Sequence, residues 1–265
     1  MLIKAQEKHR VEIMKYCKVE PAINLFIIGD IENFGFDSEF QDVWMQVINN
    51  KLVGVVLRYH DNFIVYSKDL DINVEEISEL LADMDSKVIS GKLSVINLLY
   101  PLVAEKYNKK EMFFCELKDG SSLRKEEIDV VVATCEEAME IAEAYGLISE
   151  FKGMYSDDVQ ERYKQINTRI KTGEGIHMYI KENGNIISHG NTTAETSVAG
   201  MIGGIFTLPE YRNKGLGSKM VEALSYSLLS RGKSACLFFN TPEAGKIYYR
   251  VGFKDIDKWA ILGRK

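Results

Sequence analysis

The sequence predicts an α/β protein with mixed sheets, divided into two halves. Three observations predict this class: the second half alternates strand and helix patterns, a polar segment precedes it, and the first half repeats a similar order less regularly. Domains usually hold about 100–200 residues, so the length of 265 residues allows one large domain or two small ones, and the polar segment favours two. We therefore expect one domain over residues 1–122 and a second over residues 123–265.

The bulk composition is that of a globular chain. Hydrophobic residues make up 46% of the chain and charged residues 27%, which argues against disorder. The 33 Lys and Arg residues against 39 Asp and Glu give a net charge of −6. Binding to nucleic-acid phosphates needs clustered cations, so we predict no nucleic-acid partner.

Cysteine spacing and apolar run lengths predict the compartment. The cysteines, Cys17, Cys115, Cys135 and Cys236, form no CxxC pair and no cluster with zinc-ligand spacing. We therefore expect reduced thiols and no bound metal. The first residues lack the apolar run of a signal peptide, and no stretch approaches the roughly 20 apolar residues of a membrane span. The sequence thus predicts a cytoplasmic protein without a membrane partner.

The predicted boundary between the halves is the polar segment Lys118–Glu127, which contains Gly120 and two serines. Strand patterns flank it on both sides. Glu111–Leu117 precedes it, and the β-branched run Ile128–Thr134 follows it.

The second half alternates regularly between helices and strands. Thr134, with Glu137 three residues later, is a candidate capping box, and the Asn183-Gly184 pair predicts a hairpin turn. Gly232 is a candidate helix C-cap. The predicted elements are helices over 135–151 and about 156–171, strands over 176–181, 186–193 and 198–207, a helix over 216–229, a strand over 235–240, a helix over 242–250 and a strand over 253–262.

The first half shows a weaker version of this order. Strands are predicted over 43–49 and 52–66 around an Asn49-Asn50 turn, a helix over 74–84, and a strand over 95–99. The similarity is one of topology rather than of motif.

The segment 203–217 has the sequence pattern that most clearly indicates a binding site. A strand pattern ends at Thr207, Pro209 prevents its continuation, and Arg212-x-x-Gly215-x-Gly217 leads directly into a helix. Glycines let the backbone approach a ligand closely, and the N–H groups of a helix N-terminus attract anions. The segment is neither a G-x-G-x-x-G dinucleotide fingerprint nor a Walker loop.

This segment resembles motif A of the GNAT superfamily of acyl-CoA-dependent N-acyltransferases. In that family a strand, the pattern Arg/Gln-x-x-Gly-x-Gly/Ala and a helix bind the pyrophosphate of coenzyme A. A second segment is also similar: Asn240 ends the next strand and is followed by Ala244, Tyr248 and Gly252-Phe253. The resemblance covers roughly residues 128–265, with the expected order of elements. The resemblance implies a GNAT fold here, and the weak repeat suggests a degenerate GNAT-like or smaller α/β domain before it.

The resemblance also implies roles for individual residues. Backbone N–H groups of the loop and helix start would hold the pyrophosphate of acetyl-CoA, while the strand edge would pair with the pantetheine arm. A neighbouring backbone N–H would polarise the thioester carbonyl. Asn240 would contact the arm from the other side, near Ala244. The loop residues are Arg212, Asn213, Lys214, Gly215, Leu216 and Gly217, and the edge residues are Ile205, Phe206 and Thr207.

The resemblance provides a candidate for the catalytic acid but no matching residue for the catalytic base. Tyr248 is the candidate acid that protonates the departing thiolate, although it could instead pack in the core next to Tyr249. Many family members carry a carboxylate on the strand before the loop, but Val198–Ile205 has no ionisable residue. Glu195 and His189 are the nearest candidate bases, although Glu195 could instead be a hairpin residue without a catalytic role and His189 a solvated strand residue. An ordered water, or an amine that is already neutral, would serve equally.

These observations predict an N-acetyltransferase that moves an acetyl group from acetyl-CoA directly to a primary amine on a small molecule or peptide. Two alternatives remain: a noncatalytic acyl-CoA-binding module, and a transferase of the same fold with a different acyl donor. The acceptor is not readable from the sequence, and a homodimer is left open.

The first half is not expected to bind coenzyme A. Its counterpart of the loop, Ser67–Asn73, has no glycine and carries two carboxylates. We expect it to form a wall of the acceptor pocket, with oligomerisation or stability as the alternative roles.

Overall fold

The computed structural model describes residues 1–123 and 129–265. Residues 124–127 of the predicted linker, and Ile128 of the strand expected after it, lie outside the described residues. The chain divides into two compact units. Unit 1 comprises Met1–Cys115, Phe238–Asn240 and Asp255–Lys265, and unit 2 comprises Glu116–Leu237 and Thr241–Lys254.

The regular elements of the described residues follow in chain order. The strands are β1 (Leu2–Lys4), β2 (Gln41–Ile48), β3 (Lys51–Tyr59), β4 (Asn62–Tyr66), β5 (Val88–Lys92), β6 (Tyr107–Leu117), β7 (Val131–Val132), β8 (His177–Glu182), β9 (Asn185–Thr193), β10 (Ala199–Thr207), β11 (Ser234–Phe239) and β12 (Lys254–Arg264). The helices are α1 (Arg10–Cys17), α2 (Leu25–Phe34), α3 (Val74–Asp83), α4 (Leu93–Val103), α5 (Ala138–Gly146), α6 (Val159–Thr172), α7 (Leu216–Leu229) and α8 (Pro242–Val251).

Unit 1 is a mixed sheet in the order β1-β2-β3-β4-β5-β12-β6. Strands β1 to β4 pair antiparallel, whereas β4 and β5 pair in parallel. The backbones of β4 and β5 approach closely at Gly91, where an added Cβ would lie 2.3 Å from the carbonyl oxygen of Val65. Apolar residues of β4, α3 and α4, among them Phe63, Ile77 and Leu99, form its core.

The last strand of the chain belongs to unit 1. Residues of β12 pair antiparallel with β5 from Trp259↔Lys92 to Gly263↔Val88, and Ala260 and Leu262 are fully buried in the core of unit 1. The strand predicted over 253–262 therefore exists, but the sequence pattern had assigned it to the second half. Nothing in a strand's own apolar pattern specifies which sheet it enters.

One predicted element of unit 1 is wrong. Residues 95–99 were expected to form a strand, but they lie inside α4, and the strand of this region is β5. The buried residues Val95, Ile96, Leu99 and Val103 recur at helical spacing. A short run of apolar and β-branched residues does not by itself distinguish a strand from a buried helix.

Unit 2 contains strands in the order β11-β10-β9-β8-β7. Strands β7 to β10 pair antiparallel, and β10 pairs with β11 in parallel. The hairpin predicted at Asn183-Gly184 joins β8 to β9, and both residues have positive φ, as a tight hairpin turn requires. Around it, α5 and α6 bury Ile141, Tyr145 and Ile166 against Phe206 of β10.

The helices of unit 2 begin and end with local signals. Asp158 caps α6 by accepting a hydrogen bond from the backbone N–H of Gln160. Thr241 caps α8 in the same way through the N–H of Ala244, and Gly252 ends α8 with φ of +111°. The predicted helix over 135–151 is shorter in the structure, since α5 covers Ala138–Gly146.

Candidate active site

A β-bulge interrupts β10 in the segment before the glycine loop. The pairing of β10 with β9 is regular at Gly203↔Asn191 and resumes at Phe206↔His189, so Gly204 and Ile205 are skipped. Gly204 has φ of +57°, and a Cβ there would lie 2.2 Å from Tyr145 Oη and from Asn191 Oδ1. Only glycine fits this position, and the bulge turns backbone groups out of the ladder.

The segment after β10 forms a loop that opens helix α7. A short 3₁₀ turn over Pro209–Tyr211 follows the strand, and α7 begins at Leu216. Asn213 and Gly215 have φ of +63° and +79°. Gly215 is the N-cap residue, so no side chain caps the helix there, and no acidic residue lies in the first turn. The first N–H groups of α7 therefore have no capping side chain, and the positive end of the helix dipole lies at the loop.

The two cations of the loop already have partners. The guanidinium of Arg212 makes two hydrogen bonds to Glu150, at 2.8 and 3.2 Å, and a third to the carbonyl of Thr207. This pairing lowers the pKa of Glu150 to about 2. The Nζ of Lys214 lies 4.9 Å from the ring centroid of Tyr211. The backbone N–H of Arg212 donates to the carbonyl of Pro209, so among the predicted anion-binding N–H groups this one is engaged locally.

His189 lies beneath the bulge rather than in solvent. It is fully buried, its Nδ1 lies 3.2 Å from the carbonyl oxygen of Gly204, and its Nε2 lies 3.0 Å from Nδ1 of His177. Burial, with the neighbouring His177, lowers the pKa of His189 to about 3. His189 is thus neutral at neutral pH and a weak base.

Sequence reasoning overlooked His177 because its spacing to other histidines suggested no partner. In the β8–β9 hairpin His177 stands opposite Asn191, and His189 is the diagonal neighbour two residues away on the same face. A register shift between Ile180 and Lys181 separates this pairing from the pairing at the Asn183-Gly184 turn. The register of the turn alone would place the two histidines on opposite faces, so no pattern in the sequence relates them.

Glu195, the other candidate base, is surrounded by donors. Its carboxylate accepts from Thr192 Oγ1 at 2.6 Å and forms ion pairs with Arg231 and Lys233 at 2.6 and 2.9 Å. Burial favours its neutral form, but these partners outweigh burial and lower its pKa. The arrangement gives Glu195 a role in joining the β9–β10 turn to the end of α7.

Tyr248 lies on α8 in unit 2, half-buried, with its ring centroid 6.2 Å from that of Phe253. Ala244 lies on the first turn of the same helix. Asn240 follows the last residue of β11, is exposed, and is counted in unit 1, whereas the loop and Tyr248 are counted in unit 2. The structure thus places the loop, the bulge and Tyr248 in one unit.

The corresponding helix start in unit 1, that of α3, is capped and acidic. Asn73 caps α3 by accepting from the N–H of Glu76, and Glu75 and Glu76 occupy the first turn. The N–H of Asn73 in turn donates to Gln46 Oε1 at 2.8 Å. A capped start with two carboxylates disfavours an anion, in contrast to the start of α7.

Two further features concern the described residues only. They contain no group of three or more His, Cys, Asp or Glu residues arranged to hold a metal ion. None of their helices has the length and apolar character needed to traverse a membrane.

Comparison with known proteins gives a family match over part of the second half of the chain. Residues 174–255 match the family model of the acetyltransferase (GNAT) domain, a stretch that includes the bulge, the glycine loop and Tyr248. No curated protein matches the sequence significantly.

Solved structures with similar folds span both units. An acetyltransferase of the GNAT family from Colwellia psychrerythraea aligns with a TM-score of 0.59 at 14% identity, covering 100% of each chain. A tandem GNAT protein from the clavulanic acid biosynthesis pathway aligns with a TM-score of 0.60 at 11% identity, covering 99% of this chain and 97% of the other. A GCN5-related N-acetyltransferase from Sphaerobacter thermophilus gives 0.63 at 13% identity, covering 100% and 95%. At these identities the similarity establishes the fold, and it extends the predicted GNAT fold to the first half.

Proposed function

Residues 174–255 form a GNAT domain within a chain that has the fold of tandem GNAT proteins, and from this we propose that the protein is an acyl-CoA-dependent N-acetyltransferase. The proposed reaction moves the acetyl group of acetyl-CoA directly to a primary amine of a small molecule or peptide. The observation that carries the proposal is the start of α7, which follows a bulged strand and has a glycine N-cap at Gly215 without a capping side chain.

The start of α7 fits a diphosphate. Its first-turn N–H groups lack a side-chain cap, and the positive end of the helix dipole faces the loop. The loop residues from Arg212 to Gly215 are exposed, so an anion has access. A Cβ on Gly215 would meet no atom within 4 Å, so the backbone there stays open to a close approach.

The reaction needs a polarised thioester, an acid and a free amine. The lone pair of the amine nitrogen forms a bond to the thioester carbonyl carbon, and the C–S bond breaks. The electrons of that bond leave on sulfur, where the hydroxyl of Tyr248 supplies a proton in this proposal. A backbone N–H of the bulge stabilises the charge that develops on the carbonyl oxygen.

The amine also loses a proton when its nitrogen becomes part of the amide. Strand β10 carries no ionisable side chain, Glu195 is bound by two cations, and His189 is buried with both ring nitrogens in hydrogen bonds. These contacts support an amine that enters as the neutral base and, after its nitrogen has bonded to the carbonyl carbon, loses a proton to water. Tyr248 regains from water the proton that it gives to sulfur.

The same observation motivates the alternative, a noncatalytic acyl-CoA-binding module. A strand without a carboxylate supports binding as well as it supports transfer. In this reading the start of α7 would still hold the diphosphate, but no amine would be acylated.

Thiol release from acetyl-CoA over a panel of amines separates these readings. Amine-dependent release of free coenzyme A supports the transferase. Saturable binding of acetyl-CoA without release under any amine supports the binding module. Release from longer acyl donors, but not from acetyl-CoA, supports a transferase with a different donor.

A further inference from the structure

The buried histidine pair under the bulge has no role in the proposed chemistry. His177 and His189 are 2% and 0% exposed, and together with Gly204 they form a chain of hydrogen bonds inside unit 2. Burying polar groups of this kind has a desolvation cost that an apolar residue of similar size would avoid, which suggests that the two histidines have a specific role.

The donor and the acceptor of each hydrogen bond between these residues can be assigned by starting from the Gly204 carbonyl. A carbonyl oxygen only accepts hydrogen bonds, so the proton between His189 and Gly204 resides on Nδ1 of His189. Since neutral imidazole carries one proton, Nε2 of His189 is then an acceptor, and the proton between the rings belongs to Nδ1 of His177. Nε2 of His177 is left as an acceptor, and among the described residues it has no hydrogen-bond partner.

The chain is therefore not a proton relay to substrate. A relay needs an acceptor at each end, and the carbonyl of Gly204 is not a base at physiological pH. At the other end His177 borders a cavity of about 20 Å³ that is also lined by Tyr155 and Arg169. That volume has room for one water, which would donate to Nε2 of His177.

The bond to Gly204 does, however, determine a backbone direction. In a trans peptide group the C=O and the following N–H point in opposite directions, and no cis peptide bond occurs among the described residues. With the Gly204 carbonyl turned toward the imidazole of His189, the N–H of Ile205 points away from that ring. Strand β10 pairs with β11 from Ala199 to Met201, and Ile205 lies beyond that pairing.

We propose that His189, held by His177, is a positioning residue that fixes the Gly204–Ile205 peptide group so that the N–H of Ile205 faces the thioester carbonyl. This inference rests on the proposed function, and it adds residues that touch neither the acyl donor nor the amine. Without His189 the peptide group at a glycine of positive φ is free to rotate, and the N–H loses its fixed direction. A displaced donor weakens stabilisation of the transition state more than binding of the ground state.

The test compares two substitutions of His189 with kinetic and binding measurements. His189→Phe conserves the ring shape but removes both hydrogen bonds, whereas His189→Asn retains a donor near the Nδ1 position. We expect kcat for acetyl transfer to fall about 100-fold in His189→Phe, in keeping with a misplaced reacting group. The Kd for coenzyme A should stay within about twofold, and His189→Asn should recover at least about tenfold in kcat. Ile187→Val, a buried apolar position on the same strand, controls for lost packing.

A kcat for His189→Phe equal to that of the wild type, or an equal loss in both variants, would overturn the inference. Wild-type protein that transfers no acetyl group to any amine would instead overturn the proposed function, and the positioning role with it.

Imidazole ¹⁵N spectra of the wild type test the chain without any turnover. We expect both histidines to carry the proton on Nδ1, the less common tautomer of neutral histidine. A proton on Nε2 of His189 would reverse the bond directions and contradict the inference.

Discussion

At the scale of single residues, the rings of His189 and Tyr248 differ in how deeply they are buried. His189 is fully buried with hydrogen bonds at both ring nitrogens. Tyr248, the proposed acid, is half-buried beside Phe253 on a helix that begins and ends with well-formed caps. An acid that donates to a departing group needs such access, whereas a positioning residue needs confinement.

Replacing Tyr248 by Phe removes only the hydroxyl. We expect kcat to fall by about 10²–10⁴, because a general acid contributes in the transition state, while the Kd for acetyl-CoA changes little. Steady-state kinetics at saturating donor and amine, with calorimetric Kd values, check this. Tyr249→Phe, the more exposed neighbour on α8, is the matched control and should retain its rate. Equal rates for Tyr248→Phe and wild type, with chemistry rate-limiting, would return Tyr248 to a packing role.

The histidine pair predicts a pH dependence of stability. Burial lowers the pKa of His177 to about 4 and that of His189 to about 3, against about 6.5 when unfolded. The unfolded chain therefore binds more protons as pH falls below about 6.5, and folding free energy is lost down to the folded pKa values.

We expect each histidine to contribute a loss of up to about 1.4 kcal/mol per pH unit in this interval. Denaturant unfolding followed by circular dichroism between pH 7 and 4.5 measures the slope. A His177→Phe variant should show a shallower slope than the wild type. Parallel pH curves for the two proteins would contradict the assignment of neutral buried histidines.

Some of these residues were predictable and others were not. Arg212, Gly215 and Gly217 stand in a contiguous motif, so their position at a helix start could be read from spacing. His177 and His189 are twelve residues apart and become neighbours only through the register of a hairpin. Burial also excludes the alternative interpretation of His189 as a solvated strand residue, because its face of β9 is covered by Tyr145 and Phe206.

At the scale of elements, the two units contain similar helix starts with opposite properties. In unit 2, α7 begins at a glycine N-cap without acidic residues in its first turn. In unit 1, α3 begins at Asn73, which caps the helix, and Glu75 and Glu76 follow. The two helix N-termini differ in their side chains rather than in strand order. This difference could therefore be predicted from the sequence once the helix starts were located.

Substitution of Gly215 by Glu should weaken coenzyme A binding at least tenfold, because a carboxylate there would repel the diphosphate. The matched control is Gly173→Glu, since Gly173 ends α6 with φ of +70° and, like Gly215, has no atom near an added Cβ. Both variants should lose about 1 kcal/mol of stability from the left-handed backbone. Only the first should change the calorimetric Kd, and an unchanged Kd would place the diphosphate elsewhere.

The elements that sequence reasoning misjudged share a physical cause. Residues 95–99 are apolar and partly β-branched, which fits a strand locally, but the periodicity of the longer segment buries one face of a helix. The strand β5 before it is short and contains Gly91, where two backbones approach closely. Whether this segment forms a strand depends on pairing with β12, which is distant in sequence.

At the scale of the whole molecule, unit 1 is built from three separate stretches of the chain, Met1–Cys115, Phe238–Asn240 and Asp255–Lys265. The last strand of the sequence supplies Trp259, Ala260 and Leu262 to unit 1. A boundary drawn between residues 122 and 123 stays a prediction, but a fragment starting there would carry β12 without its partner β5. Local patterns predict the strand itself, whereas its placement is decided by the tertiary fold.

Deleting residues 255–265 should therefore destabilise unit 1. The core of unit 1 would lose Ala260 and Leu262, and Trp44, now 8% exposed in the same core, would become more accessible to water. A red shift of Trp44 emission and an earlier unfolding midpoint are expected. The full-length Trp259→Phe variant is the control, since it also retains Trp44 alone. An identical emission maximum and midpoint in the two proteins would show that β12 is dispensable.

The central claim is that each chain holds one acyl-CoA, in unit 2 at the start of α7. Calorimetric titration of the intact protein with acetyl-CoA tests it most directly. The expected result is a stoichiometry of one per chain, because the start of α3 is closed by Asn73, Glu75 and Glu76. Two sites per chain, or no saturable binding, would contradict the account.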